Sequence, residues 1–462
     1  MAELRGSDLA QVKAQLGRTT LASFTVVARC PPGHPLVIQN HPLDRDGNPF
    51  PTLYWLTCPR AVKAVSRLES EGWIQRLAER PDIQATLAEV HREYAAERGK
   101  SLPGAESWGG VGGTRSSIKC LHAHYAHRLA GGDDVVGAWV ARRVEPVHPE
   151  ASGEAVAGID VGTNSVRLLV ALPGEEDLVE LARDMVITRL GQGVDRARKL
   201  DPEALRRTLD VLERYVRRAR ALGAARVRVA ATSAVRDASN REELFDLMTA
   251  LAGSPPEVLT GEHEASLSFL AATRGLDRPE PFLVFDIGGG STELVLGTER
   301  PEAAVSVDTG SVRITERVGP SDPPTAEELR AMSKLSAEAL GGAERAVPPG
   351  RAATLVGVAG TTTTVQAIAL GLEFYDPEAI HRTVLSLPEA ERVAADLARM
   401  TVAERAALPV MAAGREDVIV AGALILLDIL RRWGFQECLV SERDLLDGLV
   451  LEMLAEDGFP LP

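Results

Sequence analysis

The sequence predicts an α/β protein of two related lobes around a cleft, with a separate α+β domain ahead of them. Three observations lead there. A strand that ends in Asp and turns at Gly occurs twice, at Ile159-Asp160-Val161-Gly162-Thr163-Asn164-Ser165 and at Phe285-Asp286-Ile287-Gly288-Gly289-Gly290-Ser291-Thr292-Glu293. Each opening leads into alternating Val-rich strands and Ala-, Leu- and Arg-rich helices, the pattern of layered α/β folds. Composition also shifts near residue 150: seven of the nine histidines and three of the four cysteines lie before it, which sets that part off as its own domain.

A chain of 462 residues is too long for one core. The expected division is 1–145 for the N-terminal domain, 146–154 for a linker carrying Pro146 and Pro149, and 155–278 and 279–462 for the two lobes. Apolar residues make up 45% and charged residues 25%, as in globular proteins; aromatics at 4% leave Ala, Val, Leu and Ile to fill the cores. A net charge of −14 argues against a protein that coats DNA, which needs a basic field. It leaves room for an anionic ligand, because local arginines, Mg²⁺ and backbone N–H groups can outweigh a global field. Cys30, Cys58, Cys120 and Cys438 are not spaced as a disulfide scaffold, so reduced thiols and a cytoplasmic location are expected. The polar N-terminus lacks the apolar stretch of a signal peptide. The longest apolar run, Val418 to Leu430, contains Asp428 and is too short to span a bilayer. It reads as a buried helix, and no membrane is expected as a partner.

In chain order, Lys100 to Gly113 is rich in Gly and Ser and reads as a loop. Strands are expected at Val156 to Asp160 and Val166 to Leu172. A helix follows, with Asp201 as N-cap, Pro202 at its first position, Leu205, Leu209, Leu212 and Val216 at helical spacing, and Gly223 as its stop. The arginines on that helix, Arg206, Arg207, Arg217 and Arg218, read as a solvated face. Next come a strand at Val227 to Ala231, a helix through Phe245 to Leu251 and a helix after Gly261. The second half repeats the scheme, with strands at Phe282 to Asp286, Thr292 to Leu296, Thr354 to Val358 and Cys438 to Ser441, and a last helix from Leu445.

The two glycine openings suit phosphate. Glycines bring backbone N–H groups to an anion with no Cβ in the way. Hydroxyls of Thr163, Ser165, Ser291 and Thr292 add donors, and a strand-end Asp can hold Mg²⁺ through oxygen. Alone, either opening is equally a tight hairpin turn; the matching pair weakens that reading. Arg167 and Arg236 follow hydroxyl-rich turns, Asn164-Ser165 and Thr232-Ser233, and a planar guanidinium matches phosphate oxygens. Arg313 is a third candidate.

The pair of openings resembles the superfamily of actin-like, sugar-kinase and Hsp70-like ATPases. In detail residues 155–460 resemble one branch, the exopolyphosphatase and guanosine pentaphosphate phosphohydrolase (Ppx/GppA) family. The blocks are IDVGTNSVRLLV from Ile159, ATSAVRDASN from Ala231, LTGEHEASLSFLAA from Leu259, FDIGGGSTELV from Phe285, GSVRITE from Gly310 and GVAGTTTTVQAI from Gly357. The resemblance implies two actin-like (ribonuclease H-like, ASKHA) lobes and an Mg²⁺-dependent phosphoanhydride hydrolase, with Mn²⁺ as an alternative ion and a homodimer as the family habit. It implies that Glu264 acts on the attacking water and that Glu293 helps bind Mg²⁺ or polarise the water, with Asp160 and Asp286 as the other metal-side carboxylates. It implies a phosphate cradle of Gly162, Thr163, Asn164, Ser165, Arg167, Thr232, Ser233, Arg236, Gly288, Gly289, Gly290, Ser291, Thr292, Arg313, Gly360 and Thr361. Read without it, Glu264 is a helix-start carboxylate, Glu293 an exposed strand residue, and Gly360-Thr361 a strand-to-helix turn. His263 stands where the family often has an acid and is assigned no chemistry. Leu446 stands where Arg is common, which puts one substrate contact or one salt bridge in doubt. The end at Pro462 leads us to expect the short form of the family, without extra C-terminal helical domains.

Inorganic polyphosphate and guanosine pentaphosphate both remain open as substrates, since each puts a terminal phosphate in the same loops. An actin-like ATPase or kinase fits the blocks around Ser233 and Glu264 less well. A non-catalytic polyphosphate sensor would have lost catalytic groups, yet Asp160, Glu264, Asp286 and Glu293 are all present.

Residues 20–140 resemble a bacterial domain-of-unknown-function family, number 501, through ARCPPGHP from Ala28, GNPFPTLYWLTCPR from Gly47 and KCLHAHYAHRLA from Lys119. Cys30, Cys58, Cys120 and His122, with His34, His124 and His127 nearby in sequence, form a candidate Zn²⁺ or redox site. The alternative is buried cysteines and structural histidines, because no CxxC pair occurs.

Overall fold

The computed structural model describes residues 6–18, 20, 22–50, 52–144, 147, 154–174 and 177–456. The expected linker lies outside the described residues except at positions 147 and 154. By its contacts the chain forms two compact units: 1–157 with 169–184 and 213–227, and 158–168 with 185–212 and 228–462.

The first unit contains a small antiparallel sheet of β1 (Phe24–Arg29), β2 (Pro35–Asn40) and β3 (Tyr54–Leu56), in that order. Helices Pro59–Ser70 and Pro81–Ser101 each open on proline, whose missing N–H costs nothing there. The hydroxyl of Tyr94 accepts from Leu53 N at 2.6 Å and ties β3 to the second of these helices. The core gathers Val37, Leu87, Tyr94, Leu121 and Trp139. The expected loop after Lys100 is two short 3₁₀ turns, Ala105–Trp108 and Val111–Gly113.

The helix expected from Pro202 runs Pro202–Ala221. The solvated-face reading holds for the exposed Arg206 and is corrected for Arg217 and Arg218, while the exposed Arg207 keeps a backbone partner. Glu93 and Glu97 stand one turn apart on helix Pro81–Ser101, and they meet Arg217 and Arg214, each at 2.9 Å. Arg218 is 2% exposed and pairs with Asp184 at 2.9 Å. Arg207 donates to the Thr188 carbonyl. The acidic partners come from distant segments, which helix periodicity does not reveal.

Two larger sheets follow. The first comprises β4 (Ala155–Val161), β5 (Ser165–Pro173), β6 (Leu178–Ile187), β7 (Ala224–Ala231) and β8 (Glu257–Val258), ordered β6-β5-β4-β7-β8. The second comprises β9 (Phe282–Ile287), β10 (Thr292–Gly297), β11 (Pro301–Val307), β12 (Thr354–Val358), β13 (Thr383–Ser386) and β14 (Glu437–Val440), ordered β11-β10-β9-β12-β14-β13. Each sheet therefore starts with a hairpin at its centre, adds the third strand outside it and then crosses to the other side; β13 is an added antiparallel edge. β9 is antiparallel to β10 and parallel to β12. Strands β9 and β10 are buried along their whole length, which explains the apolar runs Phe282 to Phe285 and Leu294 to Leu296. The apolar run after Val418 is helix Ile419–Trp433, buried in the core beneath the second sheet, with Leu283, Phe285 and Val365 as neighbours. Among the described residues no helix is long and apolar enough to cross a membrane.

Candidate active site

The two glycine hairpins are built alike. Gly162 N donates to Ser165 O at 2.9 Å, and Gly288 N to Ser291 O at 3.0 Å. Strand ends β4 and β9 thus place Asp160 and Asp286 at equivalent points, one before each turn. Carbonyls of the first loop are tied back: Thr163 O accepts from Gly191 N, and Asn164 O from Thr188 N and Arg189 N. The hairpins also meet. A Cβ at Gly290 would lie 2.7 Å from Ser233 Oγ and 2.9 Å from Thr163 Oγ1, so only glycine admits both hydroxyls there. Thr163, Ser233, Gly290 and Arg313 line one small cavity.

Beside them sits a buried group of acids. Glu264 lies in the first turn of helix Gly261–Thr273, whose N-cap Thr260 accepts from His263 N. It is 7% exposed, and Arg236 Nη1 reaches its Oε2 at 3.4 Å. Burial first, then the charge of Glu293, holds the Glu264 carboxyl well above the usual range, against the pull of Arg236. Glu293 is 1% exposed, not an open strand residue, and accepts from Ser306 Oγ at 2.7 Å; burial raises it too. Asp286 accepts from Ser268 Oγ at 2.9 Å and is pushed up to about 8 by burial, then by Glu293 and Asp444. Burial also raises Asp160, against Arg167.

The arginines divide. Arg236 is the most open of the three phosphate candidates, 27% exposed, anchored by Leu259 O at 2.8 Å. Arg167 donates through Nε and Nη2 to Asp160 Oδ2 at 2.9 and 2.8 Å, and through Nη1 to Asp444. Arg313 is 5% exposed and is held by Gly290 O at 2.6 Å, Asp237 at 2.7 Å and Asp195. It clasps the second hairpin to residues 195 and 237. Thr292 is fully buried, its hydroxyl donated to Thr309 O at 2.6 Å, which makes it a structural tie. Gly360 and Thr361 open helix Ala359–Ala369; Thr361 Oγ1 reaches Ile287 O at 3.5 Å, next to the second glycine loop. Ala359 has φ 62°, a left-handed backbone at that turn. Leu446 is buried, with its side chain beside Gly158. His263 bonds Glu452 at 3.0 Å in a peripheral ion network.

Sequence reasoning missed Asp444 and Arg415. Asp444 caps the last helix through Leu446 N at 3.0 Å and also grips Arg167. Its only local signal is an Asp at a helix start. Arg415 donates to Gly360 O at 2.8 Å and Thr364 Oγ1 at 2.7 Å.

The acids fit Mg²⁺ in one mode. Asp160 Oδ1 is buried with no hydrogen-bond partner, and the surrounding carboxylates repel one another, so a dication would relieve them. Asp160, Asp286 and Glu293 do not close into a three-ligand cage: the one set of three donor atoms within 4.8 Å among the described residues is elsewhere. Mg²⁺ commonly keeps several waters and takes one or two carboxylates plus phosphate oxygens, which this arrangement allows.

That other set is in the N-terminal part, and it redraws the expected Cys/His site. Glu69, Cys120 and His122 come together; Cys30 and Cys58 do not belong to the set. The Cys30 thiol donates to His34 O at 3.4 Å and is raised first by its hydrogen bond with Cys58, then by burial. Burial pulls His122 down, yet the hydrogen bond to Cys120 and the charge of Glu69 push it up to about 9. His124 and His127 share a helix, and both point Nδ1 at buried Asp134, at 2.8 and 3.1 Å.

Comparison with known proteins gives two matches along the chain. Residues 169–457 match the Ppx/GppA phosphatase family, and residues 26–142 match a protein family of unknown function, DUF501. Exopolyphosphatase 2 of Mycobacterium tuberculosis is 44% identical over 312 residues, covering 64% of this chain and 98% of that protein. Among solved structures, an exopolyphosphatase-like protein aligns with a TM-score of 0.63 at 38% identity, over 65% of this chain and 99% of its own. The Ppx/GppA enzyme of Aquifex aeolicus aligns with a TM-score of 0.56 at 30% identity, over 64% of this chain and 98% of its own. The two sheets thus have the actin-like fold of these neighbours, preceded by a separate domain with an antiparallel sheet.

Proposed function

The chain belongs to the Ppx/GppA phosphatase family and is a phosphoanhydride hydrolase, and on that premise we propose that it is an Mg²⁺-dependent exopolyphosphatase in which Glu264 activates the attacking water. The observation that carries this reading is the placement of Glu264: buried, raised in pKa, next to Glu293 and Arg236, and close enough to Asp160 and Asp286 to feel their charge. The name and near-complete coverage of the 44% identical relative favour polyphosphate as the substrate.

Backbone N–H groups of the two glycine hairpins, with the hydroxyls of Thr163 and Ser233, receive the oxygens of the terminal phosphate. Arg236 adds a charged donor. Glu264 takes a proton from water as the water oxygen bonds phosphorus; the bridging P–O bond breaks, and the shortened chain leaves with the bond's electron pair. A carboxylate whose pKa is raised is the stronger base, so burial serves this step. Asp160, Asp286 and Glu293 would hold Mg²⁺ through water, and the ion would offset charge on the phosphoryl oxygens.

The test is phosphate release by the purified chain with Mg²⁺ on long polyphosphate, short polyphosphate, guanosine pentaphosphate and ATP. Release from polyphosphate well above the others supports the proposal. Release confined to guanosine pentaphosphate or ATP overturns the substrate, and binding of polyphosphate without release overturns the catalytic role.

A further inference from the structure

The N-terminal part holds a second constellation of chemically active side chains that phosphoanhydride hydrolysis does not use. Cys120 stands just before helix Leu121–Leu129, and its thiol makes no capping bond to that helix. His122 is in the helix's first turn. Its Nε2 lies 3.1 Å from the Val62 carbonyl and 3.2 Å from Ser66 Oγ. A carbonyl only accepts, so Nε2 carries a hydrogen, and Nδ1 on the other side of the ring is the atom that binds a metal once it gives up its own proton. There it faces Glu69 Oε1 at 3.2 Å and Cys120 Sγ at 3.8 Å. The Glu69 carboxylate is itself aimed, because Leu121 N donates to Oε1 at 2.6 Å.

We propose that Glu69, Cys120 and His122 form a Zn²⁺ site, with Cys30 and Cys58 outside it. A tetrahedral Zn²⁺ at ordinary bond lengths spaces a thiolate and an imidazole nitrogen about 3.6 Å apart, and that nitrogen and a carboxylate oxygen about 3.4 Å apart. The observed separations differ from these by only a few tenths of an ångström, and all three donor atoms lie within 4.8 Å of one another. Thiolate, imidazole and carboxylate together are a set that zinc favours over Mg²⁺ or Ca²⁺. One thiolate and one carboxylate balance the dication. The bond from His122 to the Val62 carbonyl is the outer contact by which zinc-bound histidines are oriented. The side chains of His122 and Glu69 are 21% and 26% exposed, which gives the ion an entry path and leaves a fourth position for water or an added ligand.

The full chain is titrated with Co²⁺, and Zn²⁺ is then used to displace it. One equivalent of Co²⁺ should produce a near-ultraviolet thiolate-to-cobalt charge-transfer band, and Zn²⁺ should abolish it. Co²⁺ held by the buried carboxylates of the phosphatase site gives no sulfur band, so the two sites are read apart. Cys120→Ser should remove the band. Glu69→Gln keeps an oxygen for Leu121 N and so preserves the fold; it should weaken Zn²⁺ binding by at least the roughly 10–100-fold lost when an outer contact is removed. A wild-type chain without the band, a band that survives Cys120→Ser, or Zn²⁺ affinity unchanged in a folded Glu69→Gln chain overturns the proposal.

Discussion

Replacing Glu264 by glutamine separates catalysis from structure. Glutamine keeps the volume and an acceptor for Arg236 Nη1, which lies 3.4 Å from Oε2, but cannot take a proton. A positioned general base contributes about 10²- to 10⁴-fold, so kcat should fall by that factor, equivalent to about 2.7–5.4 kcal/mol on the barrier. Stability should move the other way. The folded-state pKa of Glu264 lies above its unfolded value, because burial and Glu293 disfavour the charge. A group of this kind stabilises fully only below its unfolded pKa and costs stability as pH rises through its folded pKa. At neutral pH the neutral amide removes that cost, so Tm should hold or rise. A carboxylate that merely favoured the helix dipole would behave oppositely: its loss would cost about 0.3–1 kcal/mol of stability and leave turnover alone. The assay is single-turnover phosphate release with a parallel polyphosphate-binding isotherm and a thermal melt. Turnover within tenfold of wild type, or a lowered Tm with kcat intact, would refute the assignment.

Four further outcomes are expected. Asp286 is held near pH 8, so protons should compete with Mg²⁺: apparent Mg²⁺ affinity, followed by calorimetry, should rise by up to about tenfold per pH unit toward pH 8 and level off above it. The metal-free chain should lose stability over the rise from about pH 4 to about pH 8, since ionisation is easier in the unfolded chain, and Mg²⁺ should restore it. Gly290→Ala drives a methyl onto Ser233 Oγ and Thr163 Oγ1; it should raise KM and cost about 1–3 kcal/mol in a urea melt, and an unaltered KM would contradict the convergence of the loops. Asp134→Ala removes the partner of His124 and His127 and the acceptor for Gly137 N, and should cost about 3–5 kcal/mol on denaturant unfolding of the full chain.

The hairpin turns were legible because their causes are local. Asp160-Val161-Gly162 and Asp286-Ile287-Gly288 carry strand, turn and donor pattern within a few residues, and the turn bonds close between glycine and the serine three positions on. Strands β6 and β11 were not anticipated. β6 is partly buried along most of its length and β11 has exposed residues at its start, so neither shows an unbroken apolar run. Arginine roles were the least legible. Arg167, Arg313 and Arg218 look alike in sequence, yet one bridges Asp160 and Asp444, one clasps Asp195 and Asp237, and one is buried on Asp184. A guanidinium's role depends on which acceptor arrives beside it, and those acceptors come from far along the chain.

The sequence by itself determined the family, the paired glycine hairpins and four of the acids, Asp160, Glu264, Asp286 and Glu293, because each is written in short blocks whose geometry follows from neighbouring residues. Only the tertiary structure decided that Thr163, Ser233 and Gly290 converge, that Asp444 closes on Arg167 across 277 positions, and that Glu69, rather than Cys30 or Cys58, joins Cys120 and His122. Backbone turns are set by torsions that a few residues control, whereas the company a charged side chain keeps is set by packing of the whole fold.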